Sequence, residues 1–452
     1  MIAYKILGSV ILRINDNSPA NEDLVMAQKA YNENDYEKAI KYLTFGFEKD
    51  NANKKLYELM IECLDGLGEE EEVELFNNAI QSFKNANEFY ELGYYFSSNG
   101  SYRLAIPFLQ RANKLSPQDN DIALELAMAL LAHFKPKEAQ EVLQQLEDNG
   151  EFWIAYEYLW CSLLLNKRNG IKEFIGFAKK KFDEAELDNL DELDDYFAAV
   201  NKLEECYSRL CILDNLKYKP QNPIQQWQFV QYGGAILDYY EDITVAGGRY
   251  VVLKGQHSSV NLILKKLTTM LDSLMRMPSI VIALDDLNSI ILAKSLAKML
   301  NIKYEVINNE NIELPNSLVV VSCANELCAY DDYDFKAIAE NQTLFAFYVN
   351  WLSDCCTAPD IAGLMAQDYF FPWENEGFDF DSDDEEEIML SEEELDKIVD
   401  SILSQSVDSG AEFKEVLSFY IELKDHLKGG AKAGHRRLRF STDSPVEGAY
   451  FY

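Results

Sequence analysis

Small and apolar residues recur at helical spacing, in paired segments, along the first half of the chain. In the run LVMAQKAYNENDYEKAIKYLTFGFEKDN, beginning at Leu24, Ala27 and Ala30 share one helix and Asn34, Asp35 and Tyr36 make a turn. Ala39, Leu43 and Gly46 then mark the packing face of a second helix, which Asn51 closes. The run FYELGYYFSSNGSYRLAIPFLQRANKLSP from Phe89 repeats the arrangement. It has Leu92, Gly93 and Phe96, the turn Gly100-Ser101-Tyr102, then Ala105, Leu109, Ala112 and Pro117. Tyr36 and Tyr102 lie 66 residues apart, close to two units of about 34.

An intermediate unit carries Tyr57, Met60, Leu64, Gly68 and Val73, and a further one carries Ala123, Leu126, Ala127, Leu130, Ala139, Leu143 and Leu146. This pattern resembles the tetratricopeptide repeat, best in the units beginning near Ala20 and Ala86. Small residues at fixed positions let two antiparallel helices approach, and the aromatic after the turn fills the gap to the next pair. The segments FWIAYEYLWCSLLLNKRNG and IKEFIGFAKKKF read as one more pair, and LDELDDYFAAVNKLEECYSRLCIL as a capping helix, so the array is expected to end near Leu213. The resemblance implies binding of a protein or peptide partner on the concave face rather than chemistry. In one subclass, Lys and Asn on the inner helices clamp a terminal carboxylate. Here those helices show Gln28, Glu58, Glu62 and Glu91, which points to a basic or mixed ligand.

The texture changes after Pro220, Asn222 and Pro223. Strands are expected at 250–253, 279–284, 303–307, 317–322 and 343–350, and helices at 259–274, 289–300 and 335–340. Strand and helix alternating in this way predict a mainly parallel sheet with helices on its faces. The fold class is thus an all-α repeat solenoid, an α/β domain and a short helical carboxyl-terminal region.

Ligands of parallel sheets sit at the carboxyl ends of the strands. Two such ends are polar. Lys254 and Gly255 precede Ser258 and Ser259 at the start of a helix, where free N–H groups and the Lys254 ammonium can hold an anion. Asp285, Asp286 and Ser289 follow the next strand and resemble the ribose-phosphate loop of phosphoribosyltransferases, although Ile290, Ile291 and Leu292 replace its glycine and second hydroxyl. The resemblance implies a nucleotide or phosphoribosyl ligand, with Mg2+ as cofactor under that reading alone. The ordinary alternative is that these residues are helix caps. No GxGxxG, Walker, HExxH or GxSxG motif occurs, and His133, His257, His426 and His435 pair with no Cys or other His at ligand spacing. No catalytic residue, metal ligand or resident cofactor is therefore assigned, and a non-catalytic adaptor or scaffold is the expected function.

Charge narrows the partners. Net charge is −36, from 77 Asp+Glu against 41 Lys+Arg, which disfavours nucleic acid and anionic membrane. Much of the excess lies in 374–396, with thirteen carboxylates and no base, read as an acidic linker. It runs into an amphipathic helix bearing Leu395, Ile398, Val399 and Ile402, whose start Ser391 and Glu394 suit as a capping box. A second helix carries Phe413, Val416, Phe419, Tyr420 and Leu423. Lys428, Lys432, Arg436, Arg437 and Arg439 then form a basic, flexible tail that is expected to neutralise the acidic run. The organisation expected is 1–213, 222–373, 374–396, 397–427 and 428–452. Eight scattered cysteines without a CxxC, with Cys323, Cys328, Cys355 and Cys356 the closest set, read as reduced packed thiols. The apolar start 1–14 is interrupted by Lys5 and Arg13, too short to span a bilayer, and the chain is expected to be cytoplasmic.

Overall fold

A computed structural model describes residues 18–146, 150–184, 190–218, 223–238, 251–330, 332–374, 390–430 and 435–443. The chain divides into two compact units, Met1–Cys161 and Ser162–Tyr452. No helix among the described residues is long and apolar enough to cross a membrane.

The first unit is a helical repeat array. Its helices are α1 (Asn21–Asn32), α2 (Tyr36–Lys49), α3 (Lys54–Leu67), α4 (Glu70–Gln81), α5 (Ala86–Ser98), α6 (Tyr102–Leu115), α7 (Asn120–Ala132) and α8 (Pro136–Leu143). The unit boundary falls inside α9 (Phe152–Leu164). Short polar residues start the helices: Asp35 accepts from the Lys38 N–H, and Asp119 from the Ile122 N–H. Ala27, Ala30, Ala39 and Ala112 are buried between helices, as their spacing predicts. Gly93 shows why small residues are needed, because a Cβ there would sit 2.6 Å from Leu109 Cγ. Aromatics fill the centre. Phe47 packs edge-on against Tyr57 and Phe108 at 4.8 and 5.0 Å, and Tyr57 donates to the Asn51 carbonyl at 2.8 Å.

The second unit opens with helices α10 (Ile171–Glu184), α11 (Leu190–Leu213) and α12 (Pro223–Tyr232). The first two, expected as the end of the solenoid, fall within this second unit. The strands are β1 (Ala235–Ile236), β2 (Val252–Lys254), β3 (Ile280–Ala283), β4 (Lys303–Val306), β5 (Ser317–Cys323), β6 (Thr343–Asn350), β7 (Ile361–Ala366) and β8 (Asp368–Phe370). Six form one sheet in the order β1-β7-β6-β5-β3-β4, every pair parallel, while β2 and β8 form a separate parallel pair. Helix α13 (His257–Ser273) follows β2, and α14 (Leu287–Leu300) follows β3. The central strands are buried along their whole length, which is why IVIA and SLVVVSC are continuous runs rather than alternating ones.

Two expectations are corrected. Residues 335–340 are not a helix: Ile338 N–H bonds His435, and Ala337 bridges Arg436 in antiparallel fashion. A 3-10 helix forms earlier, at Ala324–Ala329. The segment read as a flexible basic tail is anchored where it is described, over 435–443. Phe440 exchanges backbone bonds with Cys355, and Arg437 pairs with buried Asp360. Among the described residues, no ion pair joins the basic cluster to Glu374 or to the 390–396 end of the acidic run. Lys428, Arg436 and Arg439 meet Glu205, Asp334 and Asp354. Of the run itself, 375–389 lie outside the described residues. Its end belongs to α15 (Glu392–Leu403), which starts with the predicted Ser391–Glu394 capping box. There Lys294 of α14 holds Glu392 at 2.6 Å and Asp396 at 3.2 Å. Helix α16 (Gly410–Glu422) buries Phe413, Val416, Phe419 and Tyr420.

Candidate functional site

Strand order sets the location in the second unit. From β3 the chain steps outward to β4, then returns to the other side of β3 as β5 and proceeds through β6 to β7. The order reverses between β3 and β5, and a crevice opens at the carboxyl ends of strands at such a reversal. Asp286 lies there after β3 and Ser322 lies at the end of β5.

Asp286 is the N-cap of α14, and its Oδ1 accepts from the Ser289 N–H at 2.8 Å. Its Oδ2 is buried without a hydrogen-bond partner, and burial raises its pKa. Ser289 is fully buried and its Oγ accepts from the Ser322 N–H at 2.8 Å, tying the helix start to the strand end. Ser322 Oγ donates to Glu326 at 2.7 Å and lies 3.4 Å from Asp286. Burial and the neighbouring Asp286 carboxylate push Glu326 up to about 7, and burial with the same acids pushes Tyr330 to about 12. Asp285 is exposed beside this cluster. The helix start that a phosphate would need is thus occupied by the chain's own carboxylate.

The other polar strand end is taken up by packing. Gly255 continues β2, donating to the Phe370 carbonyl at 2.8 Å, and a Cβ there would lie 2.4 Å from the Tyr369 hydroxyl. The cap of α13 is Gln256 rather than Ser258 or Ser259. Ser259 Oγ accepts from the Gln256 N–H at 2.9 Å and lies 3.1 Å from Tyr369 OH. Ser258 is half-buried and Lys254 exposed. Among the described residues no ion pair joins Lys254 to Asp285 or Asp286. The two strand ends communicate through Trp373: its ring lies 6.3 Å from His257, and its Nε1 donates to Asn288 Oδ1 at 2.6 Å. Asn288 in turn donates to Glu374 at 2.7 Å. Ser322 and Glu326 escaped the sequence reading of this site, although Ser322 ends a strand recognised from its pattern.

In the first unit, Tyr90 and Tyr94 of α5 stack at 5.9 Å with 26° between their planes, and Tyr94 is 48% exposed. Carboxylates surround them. Burial, then Glu125 and Asp121 of α7, raise the pKa of Tyr90, and Glu91 contributes less. Ser97 donates to Glu125 at 2.6 Å, which joins α5 to α7 beside the tyrosine pair. Tyr31 of α1 bonds Glu62 of α3 in the same way, and Glu58 is exposed one turn away.

Residues 97–159 match the family model of the tetratricopeptide repeat. No curated protein matches the chain. Among solved structures, a purine phosphoribosyltransferase from Pyrococcus horikoshii is 15% identical with a TM-score of 0.23, covering 28% of this chain and 97% of its own. A thermophilic TPR protein in Thermus thermophilus is 16% identical with a TM-score of 0.23, covering 40% of this chain and 98% of its own. Overlaps this slight transfer no activity. The helix pairs of the first unit are similar to tetratricopeptide repeats, and the family match runs from the end of α5 through α6, α7 and α8 into α9.

Proposed function

We propose that this protein is a cytoplasmic, non-catalytic adaptor or scaffold that holds a protein partner against the face of its repeats made by α1, α3, α5 and α7. The single observation that carries the reading is the stacked Tyr90–Tyr94 pair set among Glu91, Asp121 and Glu125. Flat aromatic faces with carboxylates beside them receive Lys and Arg side chains, by ring–cation attraction and by ion pairing. The partner segment is therefore basic with apolar residues interspersed. The net charge of −36 favours such a partner and opposes nucleic acid. The repeat match supports a protein-interaction role in general.

The test is fluorescence anisotropy of the full chain with a labelled Lys/Arg-rich peptide and an acidic peptide of equal length. Binding of the basic peptide alone, weakened about tenfold or more by Tyr94→Ala and by Glu125→Lys, is expected. Equal affinity for both peptides, or indifference to both substitutions, counts against it.

A second reading places a small ligand at the β3–β5 reversal, with Asp285, Asp286 and Ser289 there and Lys254, Gly255, Ser258 and Ser259 at the neighbouring strand end. The partnerless Oδ2 of Asp286 favours it. With this many carboxylates a phosphate ligand would need Mg2+ between them. Calorimetry with a nucleotide and phosphoribosyl pyrophosphate, with and without Mg2+, tests it. Heat that survives Asp286→Asn removes the role of that residue.

A further inference from the structure

Three cysteines meet at the carboxyl edge of the sheet, one of them on the 3-10 helix that also carries Glu326. Cys328 lies in the 3-10 helix after β5, and Cys355 and Cys356 lie on the loop between β6 and β7. Their sulfurs all fall within 4.8 Å of one another, and Cys328 Sγ is 3.8 Å from Cys355 Sγ. Sulfurs bound at about 2.3 Å to one tetrahedral ion are about 3.8 Å apart. The spacing therefore needs little adjustment to close on an ion. The Cys356 amide donates to Cys328 Sγ at 3.1 Å.

The frame around the sulfurs is fixed. Cys355 exchanges two backbone bonds with Phe440, each 3.1 Å, and Asn325 of the 3-10 helix accepts from the Asn350 N–H at the end of β6. Burial is graded across the set: Cys355 is buried, Cys356 half-buried and Cys328 exposed. A packed thiol explains Cys355, but core packing does not explain an exposed cysteine turned toward two others. One side of the triangle faces solvent.

We propose that Cys328, Cys355 and Cys356 form a three-thiolate site for a soft d10 cation, Zn2+ first, whose fourth position is open to water or an incoming ligand. Three protein ligands with one exchangeable place is the pattern of a reactive or transfer site, whereas structural zinc sites close all four. Thiolates select against Mg2+ and Ca2+, which take oxygen. On binding, each protonated thiol releases its proton to solvent, including the one Cys355 now directs at the Ala324 carbonyl oxygen, 2.8 Å away. Affinity therefore rises with pH.

The experiment titrates the reduced, chelator-treated full chain with Cd2+, following the ultraviolet thiolate-to-cadmium charge-transfer band. Zn2+ is then measured in competition with a chromophoric chelator. The expected result is one ion per chain, displaced by Zn2+ and not by Mg2+. Cys328→Ser and Cys356→Ser should each weaken binding by about 100-fold or more, as loss of a direct ligand exceeds loss of its supporting bonds. Both residues reach solvent, so melting curves matching the parent chain are expected to show that the fold is kept. Cys63→Ser, in the repeat array, should leave binding unchanged. Absence of the band, or a band that survives both Cys328→Ser and Cys356→Ser, overturns the proposal.

Discussion

Arg437 Nη2 lies 2.7 Å from Asp360 Oδ2, with the two side chains only 3% and 1% exposed. Arg437 also donates to the carbonyls of Phe335 and Ala337, and Asp360 Oδ2 accepts from the Leu344 N–H. One guanidinium thus ties the carboxyl-terminal segment to the start of β6 and the loop before β7.

Removing one partner of a buried pair leaves an uncompensated charge, at a cost of about 3–5 kcal/mol. Arg437→Ala is expected to lower stability by that amount, read from the urea midpoint. Asp360→Asn should cost less, since its amide oxygen can still accept from Leu344.

Glu326 makes stability depend on pH. Its folded pKa of about 7 exceeds the ordinary value of 4.5. Between these two values the native state keeps a proton that the unfolded state has lost, so stability falls as pH rises through that window. The Glu326 side chain reaches solvent although its carboxyl is crowded by the Asp286 cluster, so solvent damps the effect well below the roughly 1.4 kcal/mol per unit of full linkage. Glu326→Gln should flatten the slope, and carbon NMR of Glu326 should show its midpoint drop in Asp286→Asn.

Glycine substitutions separate close packing from helix propensity. Gly93→Ala forces a Cβ to within 2.6 Å of Leu109 Cγ and 3.1 Å of its backbone nitrogen. A loss of about 1–3 kcal/mol is expected in chemical denaturation. Gly176, in α10, has open space around it and ordinary backbone angles, so Gly176→Ala should gain roughly 0.5–1 kcal/mol.

Salt should divide the contributions to partner binding. Raising ionic strength from about 0.1 to 1 M shortens the screening length from ~10 to ~3 Å. Anisotropy with the basic peptide should weaken accordingly. The loss caused by Tyr94→Ala should persist at both salts, because ring contact is short-ranged, while the loss caused by Glu125→Lys should shrink.

Helix pairs and buried parallel strands were legible because their signals are local. Ala27 and Ala30, or IVIA in β3, show their periodicity within a few residues. Two strands carried no such signal: β1 has two residues, and β7 contains Gly363, whose missing side chain lets the Phe347 carbonyl approach. The candidate sites divide in the same way. Asp286 and Ser289 were legible as residues after a strand, whereas Ser322 and Glu326 join them only because β5 returns beside β3.

The sequence by itself determined the repeat helices, the run of buried strands, the capping box at Ser391 and the excess of negative charge, all functions of residue type and near spacing. Tertiary structure alone decided that Arg437 is buried on Asp360 rather than solvated, that Lys294 rather than the basic terminal cluster holds Glu392, and that Cys328 meets Cys355 and Cys356. Each of these pairs residues far apart in the chain. Their meeting depends on strand order and chain path, and local propensity carries no information about either.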